Sequence, residues 1–386
     1  MIKLKPIFLF ATCLFSSSAL ANSLPCTPLE NSNTLIQTAS INQLINQGIY
    51  KMGQLPGLLV GVVANGKTQL FSCGETVKGN NIRPTGDTIW QIGSVSKVLT
   101  TSIFAMMVDQ GKITLTAKLQ DNLPKGTTVP SYQGRSITLL DLATHTSGLP
   151  REITGLNKNT TFQSNESFNQ NRAYKWLSQY QLTIEPGTHY QYSNIGFGLL
   201  GNALAYHEKT TYAELIHSYL NQQLEMKNTT VKLTEKQKKD QAKSYWFNGT
   251  LIKSNWQFNF NQPSGGVYST GDDLLRFIQY NLNLLSGNDF SANQIAHATY
   301  IYRDALDNKL RFSDSGMALG WSVDDPENGL PIVLHKNGWV SGFNTWVILL
   351  PTEKIGIFSI SNKPYLAIKG QLLSIARLLM NHAQQK

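Results

Sequence analysis

Segments with the pattern of β-strands lie near both ends of the chain, whereas the middle has the periodicity of helices. Residues 58–64 and 68–73 are apolar and flank Asn65-Gly66, a pair typical of two-residue hairpin turns. Further strand-like segments lie near the C-terminus, at 318–323, 331–335, 345–350 and 355–361. Because short turns join antiparallel strands, the sequence predicts an α+β fold. Its single antiparallel sheet is built from N- and C-terminal segments and flanked by helices, with a mainly helical domain inserted.

This pattern divides the chain into two lobes. Residues 22–93 and 301–386 are expected to form an α/β domain, and residues 94–300 the inserted helical domain. Helical periodicity is clearest at 36–52, 94–110, 274–285 and 366–380. Long polar connections occur in the middle, notably at 151–172. We expect the functional site between the two lobes.

The N-terminal residues 1–21 have the composition of an export signal. Lys3 and Lys5 precede the apolar residues 7–15, and the Ala-Leu-Ala sequence at 19–21 has the spacing of a cleavage site. The apolar run is shorter than the roughly 20 residues that a membrane-spanning helix needs. We therefore expect an exported monomer without a membrane span, periplasmic if the source is Gram-negative.

Export determines whether the cysteines of this chain can form a disulfide. Cys13 leaves with the signal, and Cys26 and Cys73 remain as an even pair in an oxidising compartment. They either form a disulfide between the N-terminal tail and an early strand or stay as two buried thiols. No H-x-x-x-H or C-x-x-C spacing occurs in the sequence, so no metal site is expected.

The formal net charge is +9, but the basic residues are dispersed along the chain. One short cluster, residues 236–239, has the pattern of a solvated helix face. The sequence contains no recognisable nucleic-acid-binding motif, so no nucleic-acid partner is expected. A diffuse positive charge favours an anionic envelope surface without specifying a partner.

Ser94 and Lys97 form an S-x-x-K motif at the start of a predicted helix. Residues three apart lie on the same helix face, so the Lys97 amine is expected beside the Ser94 hydroxyl. A serine hydroxyl is a poor nucleophile at neutral pH until an adjacent base activates it. Lys97 lies among apolar residues, and burial lowers the pKa of an amine so that it can act as that base. The Ser94 N–H at a helix start suits a developing oxyanion. The alternative is an ordinary N-cap serine.

Tyr192 and Asn194 belong to a Y-S-N motif in a loop that is predicted to enter a helix. Tyr192 is expected to pass protons between Ser94, the leaving group and water. Asn194 is expected to bind Lys97 or the substrate amide. On its own, this motif is typical of a simple turn.

A third motif, Lys336, Asn337 and Gly338, lies where a predicted strand ends. Gly338 permits close approach of another backbone, and a strand edge beside a cleft can pair with an extended substrate. Lys336 is expected to bind a substrate carboxylate and to keep Tyr192 deprotonated by its charge. The Trp339 N–H is the expected second oxyanion donor. A surface turn is the alternative.

His145, His189 and His335 are the competing general bases. A Ser-His-Asp hydrolase of the common α/β type needs a G-x-S-x-G nucleophile turn, and the sequence contains none. These histidines are therefore expected to pack or to cap other groups.

With these three motifs in this order, the chain resembles the superfamily of penicillin-binding proteins and class C β-lactamases over nearly its whole mature length. Further stretches resemble the AmpH-type branch of D-alanyl-D-alanine carboxypeptidase/endopeptidases, at 74–75, 79–84, 142–152 and 265–270. The resemblance implies a helical domain against an α/β domain with the active site between them, and no metal or organic cofactor. It also implies a covalent acyl-enzyme on Ser94 that water resolves.

Two positions depart from the family pattern. Asn337 replaces the threonine usual in the third motif, whose hydroxyl helps to hold a substrate carboxylate. Glu152 stands where class C β-lactamases usually carry a glutamine that contacts the acylamide side chain. Both differences favour hydrolysis of peptidoglycan stem peptides, with β-lactam hydrolysis as the first alternative and a related esterase as the second. A penicillin-binding sensor without turnover is the non-enzymatic alternative.

Glu152 also suggests a substrate preference. A carboxylate beside the acyl-side pocket would attract the amine of a diamino acid in a stem peptide. The alternative is that Glu152 pairs with a neighbouring arginine such as Arg151 or Arg172.

Overall fold

The computed structural model describes residues 24–30, 37–153, 168–285, 290–309 and 312–383. The predicted export signal and most of the connection 151–172 lie outside the described residues. The described strands are β1 Thr27–Pro28, β2 Gly57–Ala64, β3 Lys67–Gly74, β4 Trp90–Gln91, β5 Ser131–Tyr132, β6 Arg135–Ser136, β7 Tyr268–Ser269, β8 Ile301–Tyr302, β9 Gly316–Met317, β10 Ser322–Asp324, β11 Val333–Val340, β12 Phe343–Leu350 and β13 Ile355–Ser361.

The described α-helices are α1 Thr38–Leu44, α2 Ser96–Asp109, α3 Leu139–Ala143, α4 Gln170–Leu177, α5 Asn194–His207, α6 Tyr212–Leu215, α7 Glu235–Lys239, α8 Gln262–Gly265, α9 Gly271–Asn281, α10 Ser291–His297 and α11 Ile368–Ala383. Wider π-helical turns, Ile45–Lys51 and Ile216–Gln223, continue α1 and α6. In the described part of the chain, none of the helices has both the length and the apolar character of a membrane span.

One large sheet joins the two ends of the chain. Its nine strands are antiparallel, in the order β1-β3-β2-β13-β12-β11-β10-β9-β8. At its centre β2 pairs with β13, from Leu58 opposite Ser361 to Ala64 opposite Ile355. This pairing confirms the predicted α+β fold, with a sheet built from both termini and helices between them.

The hairpin between β2 and β3 follows the sequence-based prediction. Asn65 and Gly66 have φ values of 52° and 73°, so both central residues are left-handed. Ala64 faces Lys67 across the two-residue turn. Such turns match the right-handed twist of the strands they join, and the Asn-Gly pair is favoured because these residues tolerate positive φ.

Both faces of the central strands are buried, and this explains why their sequences are apolar runs instead of alternating patterns. In β2, Val60 and Val62 contribute to a core that includes residues of α1 and α11, whereas Leu59 and Val63 contribute to a core that includes residues of α2 and α9. Burying one such side chain contributes about 1.5–3 kcal/mol. The sheet is therefore a rigid support for the residues at its edge.

The larger core is continuous from the sheet into the helices. α9 packs against β2 and β13, and the Thr270 hydroxyl caps it by accepting a hydrogen bond from Asp273 N at 3.2 Å. The division into 22–93 with 301–386 and an inserted 94–300 stays a prediction, because this core contains residues from both sides of the boundary.

The predicted strand at 318–323 is wrong. β9 ends at Met317 and β10 begins at Ser322. Gly320, with φ 74°, turns the chain between them. The run is apolar because its side chains are buried at a tight turn.

The strand predicted for 331–335 is also misplaced. It is β11, Val333–Val340, and therefore contains the whole third motif. Polar residues, His335, Lys336 and Asn337, interrupt the apolar pattern in the middle of the strand, so apolar patterning alone places the strand end too early. β10 pairs only with its first residues, Val333 to His335.

A disulfide joins Cys26 and Cys73. It ties β1 to the strand that pairs with it, on the sheet face covered by α1 and α11. The structure thus contains the disulfide, which is the first of the two arrangements that the sequence left open. The two cysteines are 47 residues apart along the chain.

Replacing both Cys26 and Cys73 by serine should lower the free energy of unfolding by about 2–4 kcal/mol, because the bridge restricts the unfolded chain. The reactivity of Ser94 should not change, since the bridge lies on the opposite face of the sheet. Urea unfolding of wild type and variant, with alkylation and intact mass of the unreduced protein, measures both points. If both thiols of the denatured, unreduced wild-type protein react with the alkylating agent, the disulfide is ruled out.

Candidate active site

Ser94 lies in a short 3-10 turn, Gly93–Val95, that leads directly into α2. Gly93 has φ 54°, a left-handed conformation that favours glycine. Almost all of α2 is buried, whereas Ser94 is half-buried. The turn therefore presents the hydroxyl at the end of a fixed helix, where it remains accessible.

The backbone of β11 passes directly against this turn. A Cβ added to Gly338 would lie 2.1 Å from Ile92 O and 2.9 Å from Ser94 N. A Cβ added to Gly93 would lie 2.9 Å from Trp339 N. The amide nitrogens of Ser94 and Trp339 thus border the same close contact, and any side chain at Gly338 would separate them.

Lys97 is fully buried one helical turn after Ser94. Its Nζ lies 3.2 Å from Ser94 Oγ, 2.7 Å from Asn194 Oδ1 and 2.5 Å from the backbone oxygen of Ser264. Burial lowers the pKa of Lys97 well below the usual lysine value, and the charges of Lys336 and Arg151 lower it further against the opposing effect of Glu152.

These contacts fix the direction of the Lys97 lone pair. The amide oxygen of Asn194 and the carbonyl oxygen of Ser264 can only accept hydrogen bonds. A neutral amine has two N–H donors and one lone pair, so its donors point to these two oxygens. The lone pair is then left for the Ser94 hydroxyl, and the geometry suits Lys97 as a general base.

Tyr192 completes the arrangement from the opposite side. Its hydroxyl donates a hydrogen bond to Ser94 Oγ at 2.7 Å. Burial raises the pKa of Tyr192 to about 12, although the hydrogen bond with Ser94 and the charge of Arg151 oppose this shift. The expectation that Lys336 keeps Tyr192 deprotonated is therefore wrong, because burial has the larger effect.

Three basic side chains surround the Tyr192 ring. Lys97 Nζ, the Arg151 guanidinium carbon and Lys336 Nζ lie 4.8, 4.7 and 5.0 Å from its centroid. The negative face of the ring attracts whichever of these groups is protonated. The ring thus provides a surface on which basic groups meet close to Ser94.

Asn194 is the first residue of α5, whose N-cap Ser193 accepts a hydrogen bond from Gly196 N at 2.9 Å. The Asn194 side chain accepts from Lys97 and donates through Nδ2 to Glu152 Oε1. The carboxylate of Glu152 therefore fixes which end of the amide faces Lys97. Glu152 thus contacts the end of the Asn194 amide that faces away from Lys97. Any contact between Glu152 and the substrate would be additional.

Lys336 and Asn337 have different environments on β11. Lys336 is buried, and burial lowers its pKa to about 8, with Asp314 raising it and Arg151 lowering it. Asn337 is exposed on the strand face that also carries Trp339. The structure thus brings eight of the nine predicted site residues together: Ser94, Lys97, Tyr192, Asn194, Glu152, Lys336, Gly338 and, through its backbone, Trp339. The Asn337 side chain lies on the strand face opposite to that of Lys336.

The three histidines have other contacts. His145 lies beside Tyr192, with ring centroids 4.3 Å apart, but its Nδ1 accepts a hydrogen bond from Ser193 N at 3.0 Å. Burial and the charges of Lys336, Lys97 and Arg151 lower the pKa of His145 well below its usual value. His189 contacts Thr188 and Asp307, and His335 contacts Asp324 and Lys369. None of these contacts joins a histidine to Ser94.

Sequence reasoning missed three contributors to this site. They are the guanidinium of Arg151 over Tyr192, the carbonyl of Ser264 that accepts from Lys97, and Asn344, whose Nδ2 donates to Gly338 O at 3.3 Å. The Gly338 oxygen and the Trp339 N–H belong to the same peptide group, so Asn344 orients that N–H. Only Arg151 had a sequence signal, as part of the stretch 142–152.

Asp314, Asp324 and His335 place possible metal-ligand atoms within 4.8 Å of one another. The Lys369 ammonium lies 2.8 Å from Asp324 Oδ2 and donates to His335 Nε2 at 2.9 Å. Its positive charge already occupies the space between two of the ligands. This cluster therefore fits an ion-pair network that connects α11 to the start of β11.

Comparison with known proteins places this geometry in a family. The beta-lactamase family model matches residues 41–379. The D-alanyl-D-alanine-carboxypeptidase/endopeptidase AmpH of Escherichia coli strain K12 is 34% identical over 314 residues, 77% of each protein. A crystal structure of a beta-lactamase/D-alanine carboxypeptidase from Yersinia pestis, complexed with citrate, superposes with TM-score 0.78 at 29% identity, covering 89% of this chain and 100% of that one. A class C beta-lactamase shares the fold at TM-score 0.74 and 23% identity, covering 92% and 98% of the two chains. The chain therefore belongs to the beta-lactamase family of hydrolases.

Proposed function

We propose that this protein is a serine-type D-alanyl-D-alanine carboxypeptidase/endopeptidase that acts on peptidoglycan stem peptides and also binds penicillin. The observation that carries the proposal is the position of Ser94 Oγ, between the Lys97 amine and the Tyr192 hydroxyl. The AmpH relative supports the substrate class, because it bears that activity in its name.

In the proposed acylation step, Ser94 Oγ attacks the carbonyl carbon of the scissile amide while its proton moves to Lys97 Nζ. The N–H groups of Ser94 and Trp339 stabilise the developing oxyanion, an interaction whose loss typically costs about 10²–10³-fold in rate. Tyr192 donates its proton to the leaving nitrogen, and the C–N bond breaks. The proton that Lys97 gained then passes to the Tyr192 phenolate, so that both groups return to their starting states.

Deacylation uses the same groups with water as the nucleophile. Water attacks the ester carbon while one of its protons moves to Lys97 Nζ. The bond between that carbon and Ser94 Oγ breaks as Tyr192 donates its proton to Ser94 Oγ, and Lys97 then returns the proton to Tyr192. Lys336 and Asn337 are proposed to bind the carboxylate of the leaving residue. An ammonium supplies charge, and the amide of Asn337 can still donate a hydrogen bond in place of the usual threonine hydroxyl.

Beta-lactamase activity is the second candidate, because a beta-lactamase of Yersinia enterocolitica is 26% identical over 372 residues. An esterase and a penicillin sensor are further alternatives. Purified muropeptides and a panel of chromogenic β-lactams and esters, assayed side by side, separate these activities. The proposal predicts release of D-alanine with slow lactam turnover. A single stoichiometric lactam burst without peptide hydrolysis would indicate a sensor.

The protein is also proposed to be an exported, periplasmic monomer. The support is the signal-like pattern of residues 1–21 together with the Cys26–Cys73 disulfide, since such bonds persist in oxidising compartments. The role of Glu152 in attracting an amine stays a prediction. Equal kcat/KM for an amine-bearing stem peptide and its N-acetylated form would dismiss it.

The pH dependence should differ between substrates with and without a terminal carboxylate. Lys336 is protonated below its pKa of about 8 and loses its charge above it. We therefore expect kcat/KM for a carboxylate-bearing peptide to fall as pH rises through about 8, because attraction to the carboxylate is lost. A peptide with an amidated C-terminus should not show this fall.

Lys336→Arg provides the matched control, since an arginine stays protonated throughout this range. In that variant, the fall for the carboxylate-bearing peptide should move to higher pH. Superimposable alkaline profiles for the two peptides in wild type would contradict the role proposed for Lys336.

A further inference from the structure

Four aromatic rings, three of them exposed and one half-buried, form a surface beside the active site. The proposed chemistry does not use these rings. We call this surface the aromatic ledge, and it consists of Trp246, Phe247, Trp256 and Trp339. The centroids of Phe247 and Trp256 lie 6.2 and 6.4 Å from that of Trp339. Trp246, Phe247 and Trp339 are 42%, 54% and 47% exposed. Large exposed apolar patches on a soluble protein usually mark a binding surface.

The ledge is rigidly attached to the catalytic strand. Trp246 and Phe247 lie on a tight hairpin in which Trp246 N donates to Thr250 O at 2.9 Å and Gly249 N donates to Trp246 O at 2.8 Å. Trp256 N donates to Ser341 Oγ at 2.6 Å, immediately after β11. A ligand on these rings would therefore have a fixed position relative to Ser94.

The composition of the surrounding segment favours one class of ligand. Residues 245–258 contain five aromatic residues together with uncharged polar ones, and Lys253 is the single charged residue. Exposed amides and hydroxyls of this segment include Asn248, Thr250 and Ser254. Flat rings next to such groups complement a sugar ring, which has apolar C–H faces and a rim of hydroxyl and amide groups. An anionic membrane surface would instead call for clustered basic residues.

We propose that the aromatic ledge binds the amino-sugar rings of the glycan strand that carries the scissile peptide. This inference rests on the proposed function, because it assumes a peptide attached to a polysaccharide. The acyl part of the peptide would extend past Trp339, and each extended residue spans about 3.3 Å. Three or four residues then place the first sugar about 10–13 Å from the scissile bond, over Phe247 and Trp246.

The kinetic test compares two substrates that differ only in the sugar. Trp246→Ala/Phe247→Ala should lower kcat/KM at least tenfold for a disaccharide-linked pentapeptide and less than twofold for the same pentapeptide without sugar. Phe290→Ala is the matched control, because Phe290 is 47% exposed and precedes Ser291, which contacts Asp109 at the far end of α2. That end lies about 20 Å from Ser94 along the helix, so the control should change neither value.

A direct binding measurement separates failure of this inference from failure of the proposed function. N-acetylglucosamine tetramer should bind the Ser94→Ala protein in calorimetry, and the Trp246→Ala/Phe247→Ala change should abolish binding. This holds even if the wild-type protein cleaves no stem peptide. Three results would each overturn the proposal. The first is an equal loss of kcat/KM for both pentapeptides, and the second is no binding of the tetramer. The third is Phe247-dependent binding to phosphatidylglycerol vesicles instead of the tetramer.

Discussion

Ser94→Ala is expected to abolish covalent labelling by a fluorescent penicillin and to eliminate hydrolysis of stem peptides. The Ser94 hydroxyl contacts both Lys97 and Tyr192, and an alanine side chain carries no nucleophile in its place. In wild type, the labelled proteolytic peptide should contain Ser94. The substitution removes one half-buried oxygen, so the free energy of unfolding should change little.

Ser96→Ala is the control for loss of a nearby hydroxyl. Ser96 Oγ donates to Gly93 O at 2.6 Å and accepts from Val267 N at 3.1 Å, within the supporting turn. This variant should lose stability but still become labelled. Persistent labelling of the Ser94→Ala variant, at any site in the cleft, would refute the mechanism.

Lys97→Ala and Tyr192→Phe are expected to lower kcat by about 10²–10⁴-fold each, since each removes a proton-transfer partner. Tyr192→Phe keeps the ring on which Lys97, Arg151 and Lys336 converge, so its loss of activity reports on the hydroxyl alone. Lys97→Ala leaves two buried acceptors without a donor, at a cost of about 1–3 kcal/mol each. Its fold must therefore be verified by circular dichroism before the rates are compared.

His145→Asn is the matched control for both variants. An asparagine retains an acceptor for Ser193 N and tolerates the positive φ of 60° found at this position. We expect its turnover to stay within about tenfold of wild type, because the Nδ1 of His145 has a structural partner. A folded His145→Asn protein that is as inactive as Ser94→Ala would indicate that His145, and not Lys97, is the general base.

The sequence predicted the parts of the site that depend on short-range geometry. Ser94 and Lys97 lie one helical turn apart, so an S-x-x-K spacing alone brings the amine to the hydroxyl. Asn65-Gly66 likewise determines its hairpin through two left-handed residues. In both cases the spacing along the chain and local backbone preferences determine the contact.

Contacts between distant segments were not predictable in the same way. Ser264 contributes a backbone oxygen, which any residue type could supply, 167 positions away from Lys97. Asn344 acts through the register of β11 and β12. The protonation of Tyr192 depends on its burial, and burial is a property of the assembled structure.

Glu152 illustrates a different limit. Its identity indicated a charge near the acyl-side pocket, but the sequence could not show that the carboxylate accepts a hydrogen bond from Asn194. Since Asn194 in turn contacts Lys97, a substitution of Glu152 changes the base as well as the pocket. Comparing acylated and unacylated peptides in wild-type protein avoids this coupling.

The central claim is that a stem peptide acylates Ser94, and mass spectrometry of the acid-quenched reaction tests it most directly. Wild-type protein mixed with a pentapeptide ending in D-Ala-D-Ala should release D-alanine and carry the remaining acyl group on the peptide that contains Ser94. Tyr192→Phe should yield little adduct, and Ser94→Ala none. D-alanine release that persists in Ser94→Ala, or turnover of β-lactams without any release from the pentapeptide, would contradict the account.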